Sequence, residues 1–192
     1  MARVLLHTCC GPCATYTVKQ LRQQDWEVVS FWYNPNIHPY REHQRRLEAL
    51  QSFASVAALP LIIPEGYEMV RYLRTVVGHE GERCPDCYRL RLGRTARAAA
   101  EGGYDAFSTT LLISPYQKHE LLREVGEEMV KEYGVPFYYE DLRPGFRESR
   151  NMARELGLYL QGYCGCIYSE WERYGKVNIA AVLSLSKDGF EG

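Results

Sequence analysis

Five short apolar runs, at 3–7, 27–33, 61–63, 105–108 and 137–139, are each separated from the next by at least one helix-length segment. Parallel strands need a crossover of a dozen or more residues, which a helix supplies. The alternation therefore predicts an α/β fold: a doubly wound, parallel five-stranded sheet with a helical C-terminal segment. The helical stretches fall at about 14–24, 38–57, 67–76, 84–100, 116–133, 145–157 and 167–174. Gly102-Gly103 and Gly134 stop two of them. With 192 residues the chain has room for one domain with a real core. Residues 1–175 are assigned to that domain. Residues 176–192 fit none of the pattern and are expected to be a frayed, disordered tail.

A net charge of −1 excludes a protein that binds nucleic acid through overall charge, and leaves only local basic patches for that role. No apolar run approaches the roughly 20 residues needed to span a bilayer, so no membrane partner is expected. Met1–Leu6 runs straight into a strand with no signal-peptide pattern, which sets the expected location as the cytoplasm. In a reducing compartment, clustered cysteines bind metal or do redox chemistry more often than they form structural disulfides. The chain has seven cysteines, an odd number that also argues against a disulfide framework.

The cysteines fall into three groups. Cys9, Cys10 and Cys13 follow the first strand, in Cys9-Cys10-Gly11-Pro12-Cys13. Neighbours on a strand point to opposite faces, but at a turn both can converge on one ion or cluster. Cys84-Pro85-Asp86-Cys87 opens a helix, where residues three apart share a face and the helix N-terminus favours the thiolate. Such a pair suits a zinc site, a redox couple or half of a cluster. Cys164-Gly165-Cys166 is a tight pair, suited to a labile disulfide or a shared metal. Open α/β sheets bind ligands beyond the carboxyl ends of their strands, where the strand order reverses. The first cysteine loop and the loop 109–115 are the natural walls of that crevice.

Four motifs, in order, resemble the QueH-type epoxyqueuosine reductases. They are His7-Thr8-Cys9-Cys10-Gly11-Pro12-Cys13; Cys84-Pro85-Asp86-Cys87-Tyr88 with Arg91-Leu92; Thr109 to Tyr116; and Tyr163-Cys164-Gly165-Cys166-Ile167-Tyr168-Ser169. The resemblance covers about residues 3–175 and implies a HUP-like fold. It implies reduction of the epoxide of epoxyqueuosine to queuosine on tRNA with a GUN anticodon, served by a [4Fe-4S] cluster and an electron donor that the sequence does not identify. The implied cluster ligands are Cys9, Cys10, Cys84 and Cys87, with Cys13 facing the cluster or holding an additional iron. Cys164 and Cys166 are implied as the redox-active pair. His7 and Asp86 are candidate proton donors, and Tyr116, Arg91 and Ser114 candidate substrate contacts.

Two other functions compete. A tRNA sulfur-transfer enzyme of the same fold class needs a glycine-rich phosphate loop, and Thr8–Cys13 has too few glycines to wrap a pyrophosphate. A zinc-binding RNA module fits the thiol count equally well. RNA contact is sought in two basic stretches, Arg41, His43, Arg45 and Arg46, and Arg89, Arg91, Arg94 and Arg97. Tyr33, Tyr40, Tyr138 and Tyr139 are candidates for base stacking.

Overall fold

The computed structural model describes residues 1–187. Four parallel strands, β1 (Ala2–His7), β2 (Trp26–Phe31), β3 (Leu61–Ile62) and β4 (Ala106–Thr109), lie in the order β3-β2-β1-β4. The expected fifth strand is not part of the sheet. Residues 137–139 contribute one parallel bridge, Phe107 to Phe137, made by the Phe107 N–H to the Pro136 carbonyl and the Tyr138 N–H to the Phe107 carbonyl. Pro136 has no N–H to extend a ladder. Ring packing holds the segment instead: Phe137 lies 5.0 Å from Phe107, and any Cβ at Gly126 would collide with its ring.

Side chains alternate between two packed layers, as strand geometry dictates. Leu5, Val29, Phe31 and Phe107 face α4 (Cys84–Glu101) and α5 (His119–Tyr133), burying Leu92, Ala96, Leu122 and Val125. Val4, Leu6, Val28 and Ala106 face α1 (Gly11–Gln23), α2 (Tyr40–Val56) and α6 (Phe146–Glu155), burying Val18, Leu21, Leu50, Phe53 and Ala153. Full burial of each large apolar side chain is worth about 1.5–3 kcal/mol, so two such layers supply the main driving force. The short helix α3 (Met69–Val76) packs on α4, and α7 (Ile167–Gly175) follows the last cysteine pair.

The segment after Gly175 corrects the expectation of a disordered tail. Ile179–Lys187 forms helix α8, with Ile179 buried and Ala180 seated on Gly81. An Ile-Ala-Ala-Val-Leu run has apolar surface to bury, which favours docking over fraying. Residues 188–192 of that stretch lie outside the described residues. Among the described residues, no helix is long and apolar enough to cross a membrane.

Strand order reverses at β1, which has β2 on one side and β4 on the other. The crevice between the carboxyl ends of β1 and β4 is therefore the switch point. Cys10 is the N-cap of α1, and its Sγ accepts from the Cys13 N–H at 3.4 Å. Thr109 caps the short turn 110–113 by accepting from the Leu111 N–H at 3.1 Å. The Cys9 N–H donates to Thr110 Oγ1 at 3.0 Å and joins the two loops. Gly11 lets α1 start against α2, because a Cβ there would lie 2.5 Å from the Ala49 carbonyl oxygen. Gly11→Ala is expected to cost about 1–3 kcal/mol through overpacking, read as a lower urea midpoint at unchanged m-value.

Candidate functional site

Cys9, Cys10 and Cys13 converge because a strand end and a helix start share a five-residue turn. Their sulfurs all lie within 4.8 Å of one another, and all three residues are buried. The Cys9 and Cys10 sulfurs are 3.7 Å apart. Thr110 Oγ1 donates to Cys9 Sγ at 3.3 Å, and Gln161 Nε2 lies 2.9 Å from Cys10 Sγ and 3.6 Å from Cys13 Sγ. The Cys9 thiol is held well below its usual range by hydrogen bonds from Cys10 and Cys13. Burial pushes Cys10 well above it, and hydrogen bonding to its two neighbours does the same for Cys13. A cation among them would favour the full set of thiolates. N–H donors aimed at the sulfurs are the surroundings that ligating thiolates take. The donor set therefore fits a metal or an iron–sulfur cluster.

Arg91 of α4 is sealed behind this loop, with 1% of its surface exposed. Its guanidinium donates to His7 Nε2 at 3.3 Å, to Asn34 Oδ1 at 3.0 Å and toward Cys87 Sγ at 3.9 Å. Asn34 in turn donates to the Thr8 carbonyl at 2.8 Å. His7 Nε2 also lies 3.2 Å from the Tyr33 carbonyl, and Nδ1 lies 2.8 Å from Thr109 Oγ1. Burial, then Arg91, lowers the His7 pKa to about 3. Cys84 packs on the same apolar cluster as the three thiols of the first loop. Cys87 is grouped with Cys166, Tyr72 and Val76, and burial pushes its thiol up to about 12.

The third cysteine group is carried to the site by α2. Arg46, 1% exposed and paired with Glu42 at 2.7 Å, donates to the carbonyls of Cys164 at 2.9 Å and Tyr163 at 3.1 Å. The His38 N–H donates to the Gly165 carbonyl at 2.8 Å. Gly165 has φ of +139° and lies against Ile37 and Asn36, which only glycine tolerates without strain. Cys166 is buried as the N-cap of α7, while Cys164 is exposed; neither is in a disulfide. Arg83 donates to Cys166 Sγ at 3.4 Å and is held by Glu172 at 2.6 Å.

A cavity of about 510 Å³ opens at this point, and Cys9, Cys13 and Cys164 all line it. Ser114 and Tyr116, expected as substrate contacts, line it as well. Cys10, Cys84, Cys87, Cys166, Arg91, His7 and Asp86 are not on its lining. Arg91 lies behind the cysteine loop, where it is a scaffold for His7 and Asn34. His7 is fully buried and neutral, so it is poorly placed to deliver a proton. The Asp86 carboxylate turns to the outer face of α4, pairing with His79 at 2.9 Å and Arg89 at 3.6 Å. The expected RNA-binding stretches lie elsewhere too: Arg46 is internal, Tyr33 is buried with its hydroxyl on Glu68, and Arg89 and Arg97 are paired with Glu128 and Glu101. Sequence reading missed Gln161, Gln117, whose Nε2 lies 3.4 Å from Cys164 Sγ, and the rim residues Phe146, Arg150 and Arg173. Isolated amides and arginines carry no spacing signal that would have marked them.

A parallel sheet with a cavity at its switch point, lined by cysteines drawn from separate chain segments, defines an α/β protein. Its fold is shared with the U34-tRNA thiolase NcsA from Methanococcus maripaludis with its [4Fe-4S] cluster, at a TM-score of 0.53 and 14% identity over 97% of this chain and 67% of that one. A predicted subunit of tRNA methyltransferase from Methanocaldococcus jannaschii gives 0.53 at 10% identity, over 81% and 75%. Residues 4–172 match the family described as Epoxyqueuosine reductase QueH. The Epoxyqueuosine reductase QueH of Dehalococcoides mccartyi is 45% identical over 179 residues, 93% of this chain and 98% of the relative. That of Thermotoga maritima is 36% identical over 185 residues, 92% and 94%. The chain belongs to the epoxyqueuosine reductase QueH family of oxidoreductases.

The loop and helix that carry the third cysteine group contain two buried histidines. Burial lowers the pKa of His43 to about 4 and also lowers that of His38. The unfolded chain then binds more protons than the folded one between about pH 6.5 and about pH 4. Stability is expected to fall as pH drops through that window. His43→Gln should flatten the dependence, measured by urea unfolding across the same range.

Proposed function

We propose that this chain reduces the epoxide of epoxyqueuosine in a tRNA anticodon to queuosine, with Cys164 and Cys166 as the two-electron dithiol. The observation that carries this reading is the shared cavity: Cys164 opens into the same space as Cys9 and Cys13. Reduction of the epoxide to the alkene takes up two electrons and two protons and releases the oxygen as water. Closure of Cys164 and Cys166 to a disulfide releases two electrons and two protons, so the two half-reactions balance. An external reductant then restores the dithiol. Cys164 is the exposed member and faces substrate; Cys166, buried on Arg83 and the α7 N-terminus, closes the disulfide from behind.

The proposed ligands of a [4Fe-4S] cluster are Cys9 and Cys10 with Cys84 and Cys87. Cys84 packs against the buried apolar cluster that also contains the first-loop thiols, and Arg91 ties Cys87 to the end of β1. Cys13, on the cavity wall, is the remaining thiol for an additional iron or for the cluster's open side. When bound, such a cluster supplies single electrons at low potential. Gln161 orients the Cys10 and Cys13 sulfurs, and Thr110 orients Cys9.

Protein prepared without oxygen should be brown and carry iron and sulfide; a colourless protein with zinc would overturn the cofactor assignment. Cys84→Ser and Cys87→Ser are each expected to lose the cluster absorption. Cys164→Ser should keep the absorption and lose turnover by at least about 100-fold. Full turnover in Cys164→Ser with the chromophore intact would exclude the dithiol.

A further inference from the structure

Two arginines on the lining of the cysteine cavity stand without the carboxylate partners that several other arginines have. Arg3, Arg71, Arg83, Arg89, Arg97, Arg123 and Arg143 each lie within 4 Å of a carboxylate. Arg150 and Arg173 line the cavity, and among the described residues neither has a hydrogen-bond or carboxylate partner. The one carboxylate on the same wall, Glu172, is taken up by Arg83 at 2.6 Å. Two guanidiniums are thus left uncompensated at the mouth of the cavity.

Arg150 is also placed. It stands on α6, half-buried, with its guanidinium 5.9 Å from the centre of the Phe146 ring. Tyr116 also stands edge-on to Phe146, at 5.9 Å and 83°, with 78% of its surface exposed. A tyrosine left that bare beside a cavity has a free ring face. Unpaired cations alternating with open aromatic faces are what single-stranded nucleic acid recognises: phosphates take the cations and bases take the rings. An acidic peptide would use the charge and leave the ring faces idle.

We infer that the Tyr116–Phe146–Arg150 rim is the anticodon-loop platform, with Arg150 holding a backbone phosphate and Tyr116 stacking the base next to the one that enters the cavity. Arg173, also on the lining, holds a second phosphate. This rests on the reading that tRNA is the substrate, and it places the loop on α6 and the 114–117 turn, away from the arginine-rich outer faces of α2 and α4.

The test is equilibrium binding of an anticodon stem–loop RNA to the full chain across a salt series. Removing one cation from a phosphate should make the slope of log K against log salt shallower by about 0.7–0.9. Arg150→Gln is expected to show that change, and Arg150→Lys, which keeps the charge, to restore the slope. Tyr116→Ala should weaken binding roughly 5- to 100-fold while Tyr116→Phe keeps it. Arg154→Gln, on the same helix but engaged with Asn151 at 2.9 Å, should match wild type. Circular dichroism and thermal midpoints confirm that each variant is folded. Wild-type binding with an unchanged slope in Arg150→Gln overturns this inference alone. A wild-type chain that reduces the free epoxide nucleoside and ignores the stem–loop overturns the tRNA reading together with it.

Discussion

A buried guanidinium has to find acceptors, and Arg91 finds them only where the cysteine loop, the end of β1 and the loop after β2 meet. Its partners are His7 Nε2, Asn34 Oδ1 and the Cys87 sulfur, one from each of three chain segments. Leaving such a cation unpaired inside a protein would cost several kcal/mol. The requirement therefore pins β1, the 34–36 turn and α4 in one arrangement. That arrangement sets Cys9 and Cys10 at the sheet end and Cys87 behind them. His7 follows as a consequence: it accepts from Arg91, stays neutral and holds Thr109, which caps the turn carrying Thr110.

Arg46 does for the third cysteine group what Arg91 does for the first two. It is paired with Glu42, yet keeps two N–H groups for the carbonyls of Tyr163 and Cys164. Glu42 also accepts from the Tyr159 hydroxyl at 2.8 Å, so α2 grips the 159–165 stretch at both ends. Residues 164–166 make no strand and sit in no regular element; the Arg46 guanidinium and the His38 N–H, donating to the carbonyls of Cys164 and Gly165, set their position. Under the proposed function, the cofactor thiols sit on the sheet end and the start of α4, and the redox pair on a clamped but irregular segment, the division that redox work asks for.

Much of the fold was legible along the chain. The alternation of apolar runs and helical segments announced a parallel sheet, and the four strands and the helices between them stand within a few residues of where the pattern put them. The fifth strand was misread because Phe137-Tyr138-Tyr139 has strand-like composition, whereas Pro136 and the Phe137 ring wedged on Gly126 allow only one bridge. The tail was misread because apolar Ile179–Leu183 was judged by what preceded it and not by the surface it covers. At the site, the cysteines were readable because their spacing is unusual. Gln161, Gln117 and Arg150 were not, because a single amide or arginine acquires meaning only from what lies across the cavity.

The amino-acid order by itself determined the strand–helix rhythm, the three thiol groups and their membership in one family, because periodicity and close spacing are local properties that survive in a linear string. Only the tertiary structure decided that Cys13 joins Cys9 and Cys10, that Cys164 faces the shared cavity while Cys166 turns inward, and that Asp86 points away. Those outcomes depend on burial and on partners 80 to 150 residues distant, such as Arg91 for His7 and Gln161 for Cys10. No spacing rule reaches that far, since the free energy of a buried polar group is set by what surrounds it in space.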